Sequence, residues 1–239
     1  MLAAVHRIRR FQPRIGGKKL YKLLQTELGN SELGLGRDKF FDLLSRYDLL
    51  VKRKKKYVKT TQSWHFYHRY KNRLKTRGVT GVHQAYVSDI TYLRTKSGFL
   101  YLFLQTDAYS RMITGWHLSK GLGIEGALKA LKMSLRQCPD PRGVIHHSDR
   151  GIQYCCKEYV RLLDAHGMMI SMTEENHCYE NAMAERVNGI LKQEFLLDEV
   201  FNDQRSALKA VSEAIDTYNR RRPHWSLNLS TPMEVHKAA

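Results

Sequence analysis

Along the first fifty residues the apolar positions fall at helical spacing. In residues 14–28 they are Leu20, Tyr21, Leu23, Leu24 and Leu28, entered after Gly16-Gly17. In residues 37–50 they are Phe40, Phe41, Leu43, Leu44 and Tyr47. The stretch GNSELGLG separates the two as a turn. Two short amphipathic helices across a glycine-containing turn predict a helix-turn-helix-like unit, although the turn is longer than the usual one of about three or four residues. The plainer alternative is a helical hairpin docked on a larger domain. Next, VKRKKKYVKTT alternates Val51, Tyr57 and Val58 with lysines, the pattern of a basic wing or strand. Residues 64–77 read as a basic linker that carries aromatic side chains.

From about residue 82 the apolar period changes to two. Residues 84–95, 100–106 and 112–118 read as three strands of an antiparallel meander, with turns at Ser97-Gly98 and at 107–111. Residues 124–137 read as an amphipathic helix and 143–147 as a short apolar strand ending at Ser148-Asp149. A helix over 157–166, a strand over 168–172, and helices over 181–196 and 203–221 complete the pattern. Three antiparallel strands followed by helix, strand, helix, strand and more helices is the order of an α/β, ribonuclease-H-like core. The predicted organisation is a basic helix-turn-helix-like module (1–62), a basic linker (63–81), the ribonuclease-H-like core (82–200) and a C-terminal helical extension (201–239).

Charge sharpens this division. Residues 1–80 hold 21 of the 40 Lys and Arg but 5 of the 23 Asp and Glu, so +16 of the formal +17 lies in the first third of the chain. Such an asymmetry predicts a polyanionic partner, nucleic acid first. The alternative is a solvated basic tail, and the apolar periodicity of the same segment argues against it. No apolar run reaches membrane-spanning length and no signal-peptide stretch opens the chain, so it is expected to stay in the compartment where it is made. Cys138, Cys155, Cys156 and Cys178 are too few and too clustered for a disulfide scaffold and read as reduced thiols. The histidines at 146, 147 and 177 beside cysteines 155, 156 and 178 show no zinc-finger spacing, and His65 and His68 lack matching cysteines. No nucleophile-elbow sequence points to a Ser-His-Asp hydrolase.

The chemistry points instead to carboxylates. Asp149 is the centre of HSDRGIQY, Glu185 lies in ENAMAERVNGILKQE, and thirty-five residues separate them. Asp89 lies midway along the first predicted strand, in AYVSDITYLR. In this element order the first and fourth strands are neighbours, so Asp89 and Asp149 converge at one sheet edge and the next helix brings Glu185 across it. Divalent ions with open positions for water and phosphate need such hard oxygen ligands. Asn181 is a candidate N-cap, which sets Glu185 in the first turn, one place past the capping-box position. Lys192 lies two turns further along the same face, where a cation can hold a DNA phosphate. Taken singly, each acid has an ordinary explanation: a half-buried strand aspartate, a turn aspartate, a helix-dipole glutamate. Their joint order and spacing carry the argument.

With these residues in view, the chain resembles the OrfB transposases of bacterial insertion sequences of the IS3 family and, more distantly, the retroviral integrase catalytic core. HRIRRFQPRIGGKKLYKLL and GRDKFFDLLSRYDLLVKRKKKYVKTT are similar to the family's N-terminal segment; SDITYL, HSDRGIQY, NHCYENAMAERVNGILKQE and YNRRRPHWSLNLSTPMEV are similar to its core and C-terminal end. The resemblance implies that Asp89, Asp149 and Glu185 are the DDE triad and ligands of two Mg²⁺ ions, with Mn²⁺ able to substitute. It implies that Lys192 follows the glutamate as the basic residue, and that the product is a metal-dependent polynucleotidyl transferase that cleaves and joins DNA. Phosphate contacts are expected from Lys192 and, in the basic module, from Arg37, Lys39, Lys52, Arg53, Lys54, Lys55 and Lys56. The implied partners are transposon-end and target DNA, further copies of the chain on that DNA, and an upstream-frame product that supplies another helix-turn-helix and a coiled coil. The implied location is the bacterial cytoplasm, at the nucleoid. Tyr86 stands where tryptophan is common and His177 where asparagine is frequent. Two rival classes share the same features: a metal-dependent nuclease that cuts without joining, and a non-catalytic DNA-binding regulator.

Overall fold

A computed structural model describes residues 1–29, 35–51, 70–75, 77–174 and 181–239. At its centre a mixed sheet runs in the order β3-β2-β1-β4-β5. Its strands are β1 (Ala85–Thr95), β2 (Gly98–Asp107), β3 (Ile113–Ser119), β4 (Ile145–Ser148) and β5 (Met169–Met172), and a short β6 (Val200–Phe201) pairs with the end of β1. The first three strands form the expected antiparallel meander, and β4 and β5 continue it in parallel. This is the α/β, ribonuclease-H-like arrangement.

Alternation along the strands divides the side chains between two cores. On one face Leu93, Leu100, Leu102, Leu104, Ile113 and Leu118 are buried. They pack under α8 (Ala182–Glu194) and α9 (Gln204–Arg220), whose Ala207, Val211, Ala214, Ile215 and Tyr218 form a helical stripe. A capping box between Asp203 and Ser206 starts α9. On the other face Tyr86, Phe103 and Ile170 pack against α5 (Ile124–Leu135) and α7 (Lys157–Ala165). Helix α5 approaches the sheet so closely that a Cβ on Gly115 would lie 2.1 Å from the Ala130 carbonyl oxygen, so only glycine fits there. A single-turn helix α6 (Ile152–Cys155) links β4 to α7.

The N-terminal segment departs from its sequence pattern. A helix α1 (Leu2–Arg9) precedes the two expected ones. The apolar run of 14–28 is broken: α2 (Gly17–Leu23) ends at Leu24, and a short α3 (Gln25–Gly29) follows. With α4 (Arg37–Arg46), α2 shares a small core of Leu20, Leu24, Phe40 and Leu44, to which α1 adds Val5. The link from α2 to α4 is longer than the usual helix-turn-helix turn, as the sequence indicates, and the helices are consistent with a helix-turn-helix-like module. The expected basic wing and most of the linker lie outside the described residues.

One carboxylate lies at the centre of the contacts that tie this segment to the core. Glu194, the last residue of α8, accepts both arms of the Arg222 guanidinium at 2.8 Å and the Lys19 ammonium of α2 at 2.8 Å. Burial alone would raise the Glu194 carboxyl, but Arg222 and Lys19 outweigh it and hold it below the usual carboxylate range. Around it, the Arg14 N–H donates to the Glu194 carbonyl, the Arg14 side chain pairs with Asp198 and Glu199, and Phe11 lies under the Arg221 guanidinium. The chain ends in a 3₁₀ turn (Trp225–Leu227) and α10 (Pro232–Lys237), the latter opened by a Thr231–Glu234 capping box.

Removing one member of a buried ion cluster leaves the others uncompensated, which costs about 3–5 kcal/mol. Glu194→Ala strands Arg222 and Lys19 and is expected to lower stability by that amount. The lowered carboxyl sets the pH dependence. Its contribution is full above the unfolded-state pKa and is lost as pH falls through the lower folded value, so the wild type and the variant converge in strong acid. Urea midpoints across pH measure both effects; a loss under about 1 kcal/mol at neutral pH would show that the cluster does not hold the segments together.

Candidate active site

The register of β1 creates the site. It pairs with β4 through Ala85, Tyr86 and Val87, and with β6 only from Arg94 onward. Between these points the strand has no partner on that side among the described residues, and a notch opens in the sheet. Val87 is paired with His147, so Asp89 and Asp149, each two residues further on, reach the notch from adjacent parallel strands. By alternation Asp89 lies on the face of Ala85 and Val87, which is the face α8 crosses with Ala184.

Asp89 is half-buried. Its Oδ1 accepts the Ile90 N–H at 2.9 Å and its Oδ2 accepts the Asn188 amide at 2.6 Å. Burial pushes its carboxyl up, Asp149 repels its ionised form, the two hydrogen bonds oppose this, and Glu185 adds a smaller repulsion; the result is about 7. Asp149 follows β4 directly, and its Oδ1 accepts the Gly151 N–H at 3.0 Å in a tight turn. Glu185 is exposed in the first turn of α8. Asn181 does occupy the N-cap, but its side chain makes no cap; its amide donates instead to the Ser88 carbonyl (3.4 Å), next to Asp89. That bond fastens the start of α8 to β1.

Lys192 is half-buried, with its ammonium 4.2 Å from the centroid of the Tyr92 ring. Burial lowers its pKa, while Asp89 and Asp198 hold it up and Arg94 lowers it further. Arg37 and Lys39 lie on α4 and are exposed, with Arg37 bonded to its neighbour Asp38. Lys52, Arg53, Lys54, Lys55 and Lys56 lie outside the described residues, as do His177 and Cys178.

Asn188 is the residue that sequence reasoning missed. It is buried, it is the side-chain donor to Asp89, and its own Oδ1 has no hydrogen-bond partner among the described residues. The signal was present: Asn188 falls between Glu185 and Lys192 at i+3 and i+7, one polar line down a helix that is otherwise apolar on its inner face. Beneath Asp89, on the opposite face, Ser88, Gln105, His146 and Tyr159 form a buried network. Ser88 Oγ donates to Gln105 Oε1 (2.7 Å), Gln105 Nε2 to the Tyr159 hydroxyl (2.8 Å), and His146 Nε2 lies 2.7 Å from Ser88 Oγ. Burial and the neighbouring His147 pull His146 down to about 3, so it is neutral and locks β1, β2 and β4 together.

Another strand aspartate, Asp107, shows what a structural carboxylate looks like here. It is fully buried and accepts four hydrogen bonds, from the N–H groups of His83, Tyr109 and Ser110 and from Ser110 Oγ. Asp89 has fewer donors, faces another acid, and borders an open notch. Among the described residues no three His, Cys, Asp or Glu side chains converge closely enough to form a ready metal cluster. The donor set nonetheless suits a hard cation. Two repelling carboxylates, one pushed up to about 7, are relieved by positive charge between them, and beside them lies the Asn188 oxygen, unpartnered among the described residues.

Comparison with known proteins agrees with this architecture. Two models described as integrase core domain match residues 79–178 and 166–232. The chain is 37% identical over 211 residues to an uncharacterized 31 kDa protein of insertion element IS600 from Shigella sonnei, covering 87% of this chain and 78% of that protein. It is 39% identical over 153 residues to transposase InsF of insertion sequence IS3A from Escherichia coli (strain K12), covering 63% of this chain and 53% of the relative. The chain therefore spans about half the length of the InsF relatives it matches. Among solved structures, the HTLV-2 integrase catalytic core domain in complex with magnesium (trimeric form) superposes with a TM-score of 0.53 at 18% identity, over 67% of this chain and 99% of that one. A simian T-cell lymphotropic virus intasome in complex with a PP2A regulatory subunit gives 0.57 at 17% identity, over 97% of this chain and 74% of that one. The fold and the matching family models place the chain in the integrase-core class, a family of polynucleotidyl transferases. Within that class, the chain belongs to the insertion-sequence transposase family.

The raised carboxyl has a signed consequence for the metal-free protein. Asp89 stays protonated in the folded state up to about pH 7, while in the unfolded chain it ionises near pH 4. The unfolded state binds fewer protons in that window, so this group makes stability fall as pH rises through it. Asp89→Asn removes the effect. The variant is expected to match the wild type in Tm near pH 4 and to exceed it increasingly up to about pH 7, with no further gain above. A Tm difference that does not change with pH would show that Asp89 is not strained by its neighbours.

Proposed function

We propose that this chain catalyses metal-dependent DNA strand cleavage and strand transfer in the movement of an insertion sequence, with Asp89, Asp149 and Glu185 as the catalytic acids. The observation that carries the reading is the notch. Two carboxylates from adjacent parallel strands repel each other at an open sheet edge, and α8 crosses that edge carrying Glu185, Asn188 and Lys192 on one face. Asp89 and Asp149 would hold the metal ions, and Glu185, in the first turn of α8, would complete the set. Two Mg²⁺ ions, or Mn²⁺ in their place, supply activation of water or a DNA 3′-hydroxyl and stabilisation of the leaving oxygen. Asn188 keeps one oxygen of Asp89 aimed by its 2.6 Å bond. Lys192, anchored over Tyr92, provides a cation for a phosphate beside the acids. The basic residues 1–80, Arg37, Lys39 and the lysine-rich 52–56 run among them, would neutralise further phosphates. The substrates are transposon ends and target DNA, on which copies of the chain assemble, with an upstream-frame product supplying a further DNA-binding and coiled-coil element. The working location is the bacterial cytoplasm, at the nucleoid.

The test is chemical. Asp89→Asn, Asp149→Asn and Glu185→Gln are each expected to abolish cleavage of a duplex carrying the element's terminal repeat while DNA binding persists, because each removes a charged ligand and keeps the shape. Mg²⁺ and Mn²⁺ are expected to support turnover, and Ca²⁺ binding alone. Near-normal cleavage by any one variant would remove that residue from the site. Products joined to a target plasmid distinguish a transferase from a nuclease of the same fold; cleavage without joining would overturn the strand-transfer part of the reading.

A further inference from the structure

The C-terminal motif YNRRRPHWSLNLSTPMEV has no part in the notch. Its first half is structural. Asn219 bonds both the N–H and the carbonyl of Ile113 on β3, the Tyr218 hydroxyl donates to the Arg111 carbonyl, and Arg222 is the buried partner of Glu194. Its second half begins with a tight loop that faces outward. The His224 carbonyl accepts the N–H of Leu227 and of Leu229, and the His224 N–H donates to the Ser230 carbonyl. Asn228 and Leu229 both take left-handed backbone angles (φ 51° and 67°), a conformation that a leucine adopts only under constraint. The loop presents Trp225 with 56% of its surface exposed.

Trp225 does not stand alone. It and Leu229 line an open groove of about 410 Å³ against the N-terminal helices. Lys18, Tyr21 and Lys22 of α2 and Arg37, the first residue of α4, line it as well. Lys18, Lys22 and Arg37 are exposed. Lys22 donates to Gln25 on the same groove wall, and Arg37 to Asp38, so the cations are oriented without being buried. No acidic residue lines the groove among the described residues. The placement depends on the Glu194 cluster, which holds Lys19 of α2 and Arg222 of the C-terminal motif on the same carboxylate.

We infer that this groove, walled by Lys18, Lys22 and Arg37 and floored by the Trp225 indole, binds an unpaired nucleotide of a DNA strand, with the cations on its phosphates and the indole stacked on its base. An exposed indole ring beside cations is the arrangement that receives single strands, because every base has a stacking face once it leaves the duplex. A blunt duplex offers no such face. A second copy of the chain is a poor occupant, since a symmetric contact through this patch brings the same three cations together. The assignment rests on the reading of the chain as a DNA-joining enzyme and adds to it a site for the strand away from the catalytic acids.

The experiment compares the full chain with Trp225→Ala, Trp225→Phe and the triple change Lys18→Gln, Lys22→Gln, Arg37→Gln. The probes are a short duplex with a single-stranded 3′ tail and its blunt counterpart, in chelator so that no cutting occurs. Trp225→Ala is expected to lose about tenfold in affinity for the tailed duplex and little for the blunt one. Trp225→Phe retains most of the preference, since a smaller aromatic still stacks. The triple variant is expected to lower the salt dependence of tailed-duplex binding by up to about two or three units of slope. Tryptophan emission is quenched by the tailed duplex in the wild type and not in Trp225→Ala. If Trp225→Ala binds both probes like the wild type, or loses both equally, the assignment falls. A change in sedimentation with unchanged DNA binding would overturn it in favour of self-association. If the wild type binds neither probe, the DNA-joining reading itself fails, which is a different result.

Discussion

The parallel pairing of β1 with β4, and the point where it stops, is the constraint on which this molecule turns. Three residue pairs hold the two strands together, and then β1 runs on without a partner on that side, among the described residues, until β6. Had the pairing continued, the edge would be sealed by backbone hydrogen bonds. Because it stops, two aspartates from adjacent strands arrive at an open edge with no strand to separate them. Burial, and after it the repulsion from Asp149, raise Asp89 to about 7. A fold tolerates such a strained pair when a ligand relieves it, and hard cations are the ligand that carboxylates select. The neutral network of Ser88, Gln105, His146 and Tyr159 below the sheet keeps the strands from yielding.

A second organising point lies at the other end of α8. Glu185 stands in its first turn and Glu194 at its last residue. The first acid lies where α8 crosses the notch, and the last one gathers Lys19 from the N-terminal helices and Arg222 from the C-terminal motif. One rigid helix therefore couples the position of the notch to the position of both flanking segments. The basic character of the first third of the chain takes on two meanings as a result. Arg14 and Lys19 are internal pairs that dock the segment. Lys18, Lys22 and Arg37 remain exposed toward solvent, Arg37 beside its neighbour Asp38.

Much of this is legible in the order of residues alone. The change of period near residue 82 locates the core, because strands and helices impose different apolar spacings on the chain. The meander, the parallel strand ending at Ser148 and the helix bearing Glu185 lie within a few residues of where the pattern predicts them. The three acids stand out by their order on those elements. Asn188 escapes notice because a buried asparagine in a helix looks like any polar residue until its partner is seen across ninety-nine positions of sequence. The break of α2 at Leu24 and the docking of the N-terminal helices escape for a related reason. Helical periodicity reports that a face is buried, and it is silent on what buries it.

By itself, then, the sequence determined the element order, the division of charge and which acids are candidates, since these depend on local periodicity and on residue chemistry. Only the tertiary structure decided which elements meet. The early end of the β1–β4 ladder, the carboxylate shared by Lys19 and Arg222, and the groove between Trp225 and α2 each join residues far apart in the chain. Contacts of that kind leave no periodic trace, because their free energy comes from the register of a sheet and the burial of paired charges, and both exist only once the chain has folded.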